Sequence, residues 1–210
     1  DGRVQIRRCG IKMRSDGFHV IPAGTVAMIV PHLEMRAPPE TRAVSLVEGV
    51  SFHSVEATTS WFRDIFTRVG SLEWLWYGRL KLKDKTLSDI LEDPLVEHYT
   101  LRKDGRDEAL LELDFRTEGE CELAYFGLTP ALIGTGSGRF LMNAAIERAW
   151  AHPISRFHVH TCTFDSPQAL GFYRRSGFTP VRQQVEIDDD PRLTGILPMD
   201  AAPSVPVFRP

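Results

Sequence analysis

The sequence has few cysteines, no block of basic residues and no long apolar run. Its three cysteines, Cys9, Cys121 and Cys162, are odd in number and share no short metal-ligand spacing. That excludes a disulfide framework and reads as reduced thiols in a cytoplasmic protein. Lys and Arg total 25 against 28 Asp and Glu, for a net charge of −3. Nucleic-acid binding usually needs a basic face, so that class of partner is set aside. No apolar stretch approaches the ~20 residues of a membrane-spanning helix, and the residues present show no signal peptide. What remains, 210 residues of which 42% are apolar, suits one globular domain with decorated ends. Residues 1–24 are polar and read as a loose arm, and 25–190 as the domain. Residues 191–210 contain five prolines and read as an extended tail outside the core.

The periodicity within 25–190 changes along the chain. Thr25 to Met35 is β-branched and apolar and predicts a strand, ended by Pro38 and Pro39. From Ser54, Val55, Phe62, Ile65, Phe66 and Val69 recur at helical spacing, with Gly70 as the stop. "TLSDILEDP" predicts a short helix capped by Thr86. Two strands then flank an Asp104-Gly105 turn, and Glu120 to Leu128 forms another. A helix over Arg139 to about Ala151 follows, apolar over most of its circumference, with Arg139, Asn143 and Glu147 as its polar stripe. "RFHVHTCTF" is a strand, "SPQALGFYRRSGF" a helix, and "TPVRQQVEI" a strand. Consecutive strands favour antiparallel pairing and strand–helix–strand crossovers favour parallel pairing. The fold class is therefore α/β, a mixed sheet with helices on both faces.

One loop carries chemistry. In "LIGTGSGRFL", Gly134, Gly136 and Gly138 alternate and a helix follows. The dinucleotide fingerprint would need a glycine where Arg139 stands, and the Walker A loop would need Lys and Ser/Thr where Arg139 and Phe140 stand. Even so, a glycine turn entering a helix presents backbone N–H groups, and the helix dipole favours an anion there. Arg139 adds charge at the rim.

The order "CELAYFGLTPALIGTGSGRFLMNAAIERA" then "DSPQALGFYRRSGF" resembles the GNAT superfamily of acyl-CoA-dependent N-acetyltransferases. The resemblance covers about Val96 to Ile187. It implies that the loop, Ile133, Gly134, Thr135, Gly136, Ser137, Gly138 and Arg139, holds the pyrophosphate of acetyl-CoA. Gly136 and Gly138 align with the family's glycines, while Ile133 stands where the family has Arg or Gln. The later signature is met by Ala169, Phe172, Tyr173, Gly177 and Phe178, with Ser166 in place of its Asn. Either Asp165 or Ser166 would cap that helix.

The resemblance also implies roles. Glu122 matches the acidic position that serves as general base, with Glu120 the decoy two residues earlier. Alternation would put Glu122, Ala124 and Phe126 on one face, where apolar surroundings would raise the carboxyl pKa. Tyr173 matches the acid that protonates the leaving thiolate. Phe126, Gly127 and Leu128 would hold the pantetheine arm through their backbone, where their strand parts from "FHVHTCTF". On that neighbour His158, His160 and Cys162 alternate, which suggests packing rather than a metal site, with His160 an alternative base.

The expected activity is acetyl transfer from acetyl-CoA to a primary amine by direct attack in a ternary complex, without a metal. Two other readings stay open: an acyl-CoA-binding sensor without catalysis, and a transferase of this fold using another acyl group or acceptor. The acceptor would be a small-molecule or peptide amine. Trp61, Trp74, Trp76 and Tyr77 could line its pocket or simply form core, and Glu186 with Asp188, Asp189 and Asp190 could draw a cation or form a solvated turn. The proline tail either docks on a second subunit, as in a homodimer, or hangs free.

Overall fold

The computed structural model describes residues 16–210, so residues 1–15 of the expected arm, with Cys9, lie outside the described residues. The chain forms strand β1 (Thr25–Met35), β2 (Val50–Ser54), helix α1 (Thr59–Phe66), a π-helical turn (Thr67–Ser71), α2 (Leu72–Trp74), α3 (Asp84–Leu91), β3 (Val96–Lys103), β4 (Arg106–Asp107), β5 (Ala109–Asp114), β6 (Glu120–Leu128), α4 (Ser137–Trp150), β7 (Arg156–His160), α5 (Ala169–Arg175) and β8 (Thr179–Asp189). One sheet runs β2-β3-β5-β6-β7-β1-β8, with β4 paired to β3. Every pairing is antiparallel except β6 with β7. This is the expected mixed sheet.

Helices cover both faces. Leu141, Met142, Ala145, Ile146 and Ala149 of α4 pack with Leu111, Leu113, Leu123, Phe157 and Tyr173 on one side. Phe62, Ile65 and Phe66 of α1 pack with Leu87, Leu91 and Leu110 on the other. The three α1 side chains are fully buried, each stabilising the fold by about 1.5–3 kcal/mol.

Several boundaries differ from the sequence reading. A strand, β2, occupies 50–54, and the helix begins at Thr59, where the Thr58 hydroxyl accepts from Trp61 N–H. Gly70 does not stop it. The backbone widens into the π turn and ends only at Leu75, whose φ of 57° reverses the chain. Gly70 is needed for space instead: a Cβ there would lie 2.0 Å from the Trp76 ring. Helix α3 starts at Asp84 after Lys83, so Thr86 is interior rather than a cap. Strand β7 ends at His160 and leaves Cys162 outside it. The Asp104-Gly105 turn forms as expected, with φ of 52° and 77°.

The expectation that 191–210 stays out of the core is overturned. Leu197, Ala201 and Ala202 are buried against Val26, Met28, Val30 and Leu75. Buried Arg192 pairs with Asp190 at 2.8 Å and donates to the carbonyls of Ala201, Ala202 and Val205. Prolines here shape turns, and an arginine satisfies the carbonyls that those turns leave over.

Candidate active site

The site begins with an irregularity in β6. Leu113 pairs with Leu123 and Glu112 with Tyr125, so Ala124 is an extra residue. A bulge of this kind flips the alternation beyond it. Cys121 and Leu123 face α4 before the bulge. After it, Phe126 faces that side, 5.6 Å from the Phe172 ring, while Tyr125 turns to Phe62 and Phe66. The expected common face of Glu122, Ala124 and Phe126 therefore does not exist. Pairing of β6 with β7 also ends early, at Glu122 opposite His158. Beyond that rung the two strands part, as expected.

Two cavities open there. One, of about 330 Å³, lies between the segment Leu75–Lys81, β6 residues 123–126, and Val159, His160 and Glu186. The other, of about 320 Å³, lies between Gly127 and Leu128, the glycine loop, and α5. Four residues line both: Trp76, Phe126, Asp165 and Tyr173.

The second cavity collects most of the anticipated cofactor residues: Phe126, Gly127, Leu128, Ile133, Gly134, Gly136, Gly138, Arg139 and Ser166. Thr135 and Ser137 do not line it. The Thr135 hydroxyl donates to Leu132 C=O at 2.8 Å and meets the Ser137 hydroxyl at 2.7 Å, so both brace the loop from behind. Gly134 and Gly136 have φ of 81° and 86°, which only glycine adopts freely. Gly127 permits a close approach: a Cβ there would lie 2.3 Å from Val69 Cγ1. Arg139 donates to Ser176 Oγ at 3.0 Å and lies over the Phe172 ring. Arg175, which the sequence reading missed, also lines this cavity and forms no ion pair among the described residues. Its signal was its place in the last turn of the "GFYRRSGF" helix. A glycine cradle, a helix start and two guanidinium groups beside an apolar wall suit a phosphate-bearing chain such as coenzyme A.

Tyr173 is buried at the junction, against Phe126 and Phe178. Its hydroxyl has no hydrogen-bond partner among the described residues. Burial, with Asp165 second, pushes its pKa well above the ordinary phenol value. Asp165 does not cap α5. One of its oxygens accepts from Trp76 Nε1 at 2.6 Å, the other from Thr161 Oγ1 at 2.6 Å and Cys162 N–H at 2.9 Å. It thereby pins the indole that separates the cavities. Ser166 does not cap α5 either: its Oγ accepts from Gln168 N–H at 3.4 Å, and α5 begins after Gln168 with no side-chain cap.

Glu122 lines neither cavity but a separate polar pocket with Arg116, Glu120, Arg156 and His158. It reaches the first cavity through His160, whose Nδ1 lies 3.2 Å from its Oε1. The expected rise in its pKa is reversed: the hydrogen bond from His160 holds the Glu122 carboxyl below its ordinary range. The same bond raises His160 above the ordinary 6.5. Apolar burial loses to a short charged contact. Glu120 is held by Arg156 at 2.9 Å, away from both cavities.

Aromatic expectations divide. Trp76 and Tyr77 line the first cavity and Trp74 the second, whereas Trp61 donates to Asp107 on the far side of α1. Of the acidic run, Asp188 is paired with Lys81 and Tyr77, and Asp190 with Arg192. Glu186 lines the cavity and forms no ion pair among the described residues. The segment above it is anchored from below, where buried Glu112 pairs with Arg79 and His98, and Arg79 lies over the Phe62 and Tyr125 rings. Among the described residues no group of three or more His, Cys, Asp or Glu could hold a metal, and no helix is long and apolar enough to cross a membrane.

The family model described as the acetyltransferase (GNAT) family matches residues 55–178. Among solved structures, a GCN5-related N-acetyltransferase from Sphaerobacter thermophilus superposes with a TM-score of 0.57 at 12% identity, covering 88% of this chain and 54% of that one. A GNAT-family protein from Novosphingobium aromaticivorans gives 0.54 at 17% identity, covering 80% and 67%. A tandem GNAT protein from the clavulanic acid biosynthesis pathway gives 0.54 at 11%, covering 77% and 53%. At these identities the likeness is one of fold. The chain spans about half the length of the first and third. No curated protein matches significantly.

Proposed function

The chain belongs to the GNAT acetyltransferase family, and on that premise we propose that it transfers an acetyl group from acetyl-CoA to a primary amine by direct attack in a ternary complex. The observation that carries this reading is the meeting of two cavities at Trp76, Phe126, Asp165 and Tyr173. One cavity has the donors for a phosphate-bearing chain, and the other has a base.

Acetyl-CoA, when bound, supplies an activated acyl carbon and a thiolate leaving group. The glycine loop with Arg139 and Arg175 would hold its phosphates. The backbone of Phe126, Gly127 and Leu128, freed from pairing with β7, would hold its arm. His160 takes the acceptor's proton. Its Nδ1 faces Glu122, which leaves Nε2 for the amine. Glu122 fixes the tautomer and stabilises the imidazolium, so the family's acidic position acts through a histidine. Tyr173 would give its phenol proton to the leaving thiolate at the junction; burial raises its pKa and so weakens it as an acid. Cys162 lines the acceptor cavity, but burial pushes its thiol up to about 12, which disfavours an acyl-cysteine route. Aromatic walls from Phe66, Trp76, Tyr77 and Tyr125 suit an amine with an apolar body.

Calorimetry with acetyl-CoA followed by a thiol-release assay over a panel of small-molecule and peptide amines tests this. The expected result is saturable binding and thiol release with amines that carry an apolar group. Binding without release from any amine would replace the enzyme reading with a sensor. Absence of binding would overturn both.

A further inference from the structure

Strand β8 forms one margin of the sheet, paired with β1 along its length and with no strand beyond it among the described residues. All of its eleven residues except Asp188 are exposed. Val185 and Ile187 project from one face, 51% and 39% exposed, beside Ile29, the partner of Val185 in β1, while Val181 is the extra residue where the register of β8 with β1 shifts. A long, β-branched, uncovered edge of this kind is a template for another strand.

The sequence of β8 says which strand fits. Around Gln184 it reads Val181-Arg182-Gln183-Gln184-Val185-Glu186-Ile187, with charges of opposite sign placed symmetrically. Antiparallel pairing of β8 with itself, about a two-fold axis through Gln184, sets Arg182 opposite Glu186 twice and Gln183 opposite Val185 twice, all within the regular part of the strand. Directly opposed residues have Cβ atoms about 5 Å apart, within ion-pair reach. With the axis normal to the sheet, the exposed valines and isoleucines of both copies share one face. Among the described residues neither charge has a counter-ion. Arg182 meets only His32 Nδ1, at 3.3 Å, and Glu186 forms no ion pair among the described residues.

We propose that the protein forms a two-fold symmetric homodimer in which two β8 strands join the sheets edge to edge, in the register that pairs Arg182 with Glu186. Such an interface is isologous and closes at two copies. It also has a consequence for the site. Glu186 lines the acceptor cavity, so Arg182 of the second copy comes to its rim. Amine entry is then bounded by both subunits.

Sedimentation velocity over a range of protein concentrations tests this, independently of any activity. The wild type should run as a dimer. Arg182→Glu faces like charges across the axis twice and should raise the dimer dissociation constant about tenfold or more. The double charge exchange Arg182→Glu with Glu186→Arg should restore it. Val185→Lys, which leaves both charges intact, should also weaken the dimer and serves if Arg182→Glu folds poorly by circular dichroism. A wild type that stays monomeric, or a dimer indifferent to both single variants, overturns the proposal. A charge exchange that fails to restore association overturns the register.

Discussion

At the scale of the residue, the decisive contact is that between Glu122 and His160. It lowers one pKa and raises the other, so in the proposed mechanism the pair would act as one oriented base and not as two separate candidates. A histidine base acts when neutral, so the rate should rise with pH through a pKa above 6.5. Glu122→Gln removes the leading cause of that elevation. The acid limb of the kcat/KM profile should then move to lower pH while the plateau falls; an unmoved limb would take His160 out of the mechanism. Tyr173→Phe should lower kcat by about 10²-fold or more with little change in acetyl-CoA affinity by calorimetry. An unchanged kcat would reduce Tyr173 to packing. Glu112 is fully buried against Arg79 and His98. Removing it strands a buried guanidinium, so Glu112→Ala should cost about 3–5 kcal/mol in urea unfolding.

At the scale of the element, the π turn and the bulge in β6 shape the site together. Val69, on the π turn, sits against the backbone of Gly127. Gly127→Ala would drive a methyl group to 2.3 Å from Val69 Cγ1. It should destabilise the protein by about 1–3 kcal/mol and weaken acetyl-CoA binding. Val69→Ala, in the same chain, should recover most of the stability, because the remaining contacts, 3.4 Å to Trp76 Cη2 and 3.8 Å to Val69 Cβ, are ordinary packing distances. Full additivity of the two changes would show that the close approach is not the cause. The strands and the long helix were legible in the sequence because their alternation and helical spacing are local patterns. The bulge was not, since it depends on which residue of β5 lies opposite, and it reversed the face assigned to Phe126.

At the scale of the whole molecule, the last twenty residues complete a core rather than trail from it. Leu197, Ala201 and Ala202 close the cluster under β1, and Arg192 binds the turn that carries them. Deleting 191–210 should expose that cluster and lower the unfolding midpoint by several degrees or more. The same cluster includes Leu75 and Tyr77, which line the proposed acceptor cavity, so acceptor turnover should fall further than acetyl-CoA affinity. An unaltered midpoint would return the segment to the status of a tail.

By itself the sequence determined the fold class and the family, and it singled out the glycine loop. Alternation, helical spacing and glycines that tolerate positive φ are properties of neighbouring residues, and the two motifs stand in order along the chain. Only the tertiary structure decided which group faces the first cavity. Glu122, on β6, meets a histidine from the parallel strand β7 at a distance that no linear spacing records. It also decided that Asp165 holds Trp76, some ninety positions away, and that a proline-rich end is core. Those outcomes follow from pairing and packing between distant segments, where burial and charge compete and the nearer partner wins.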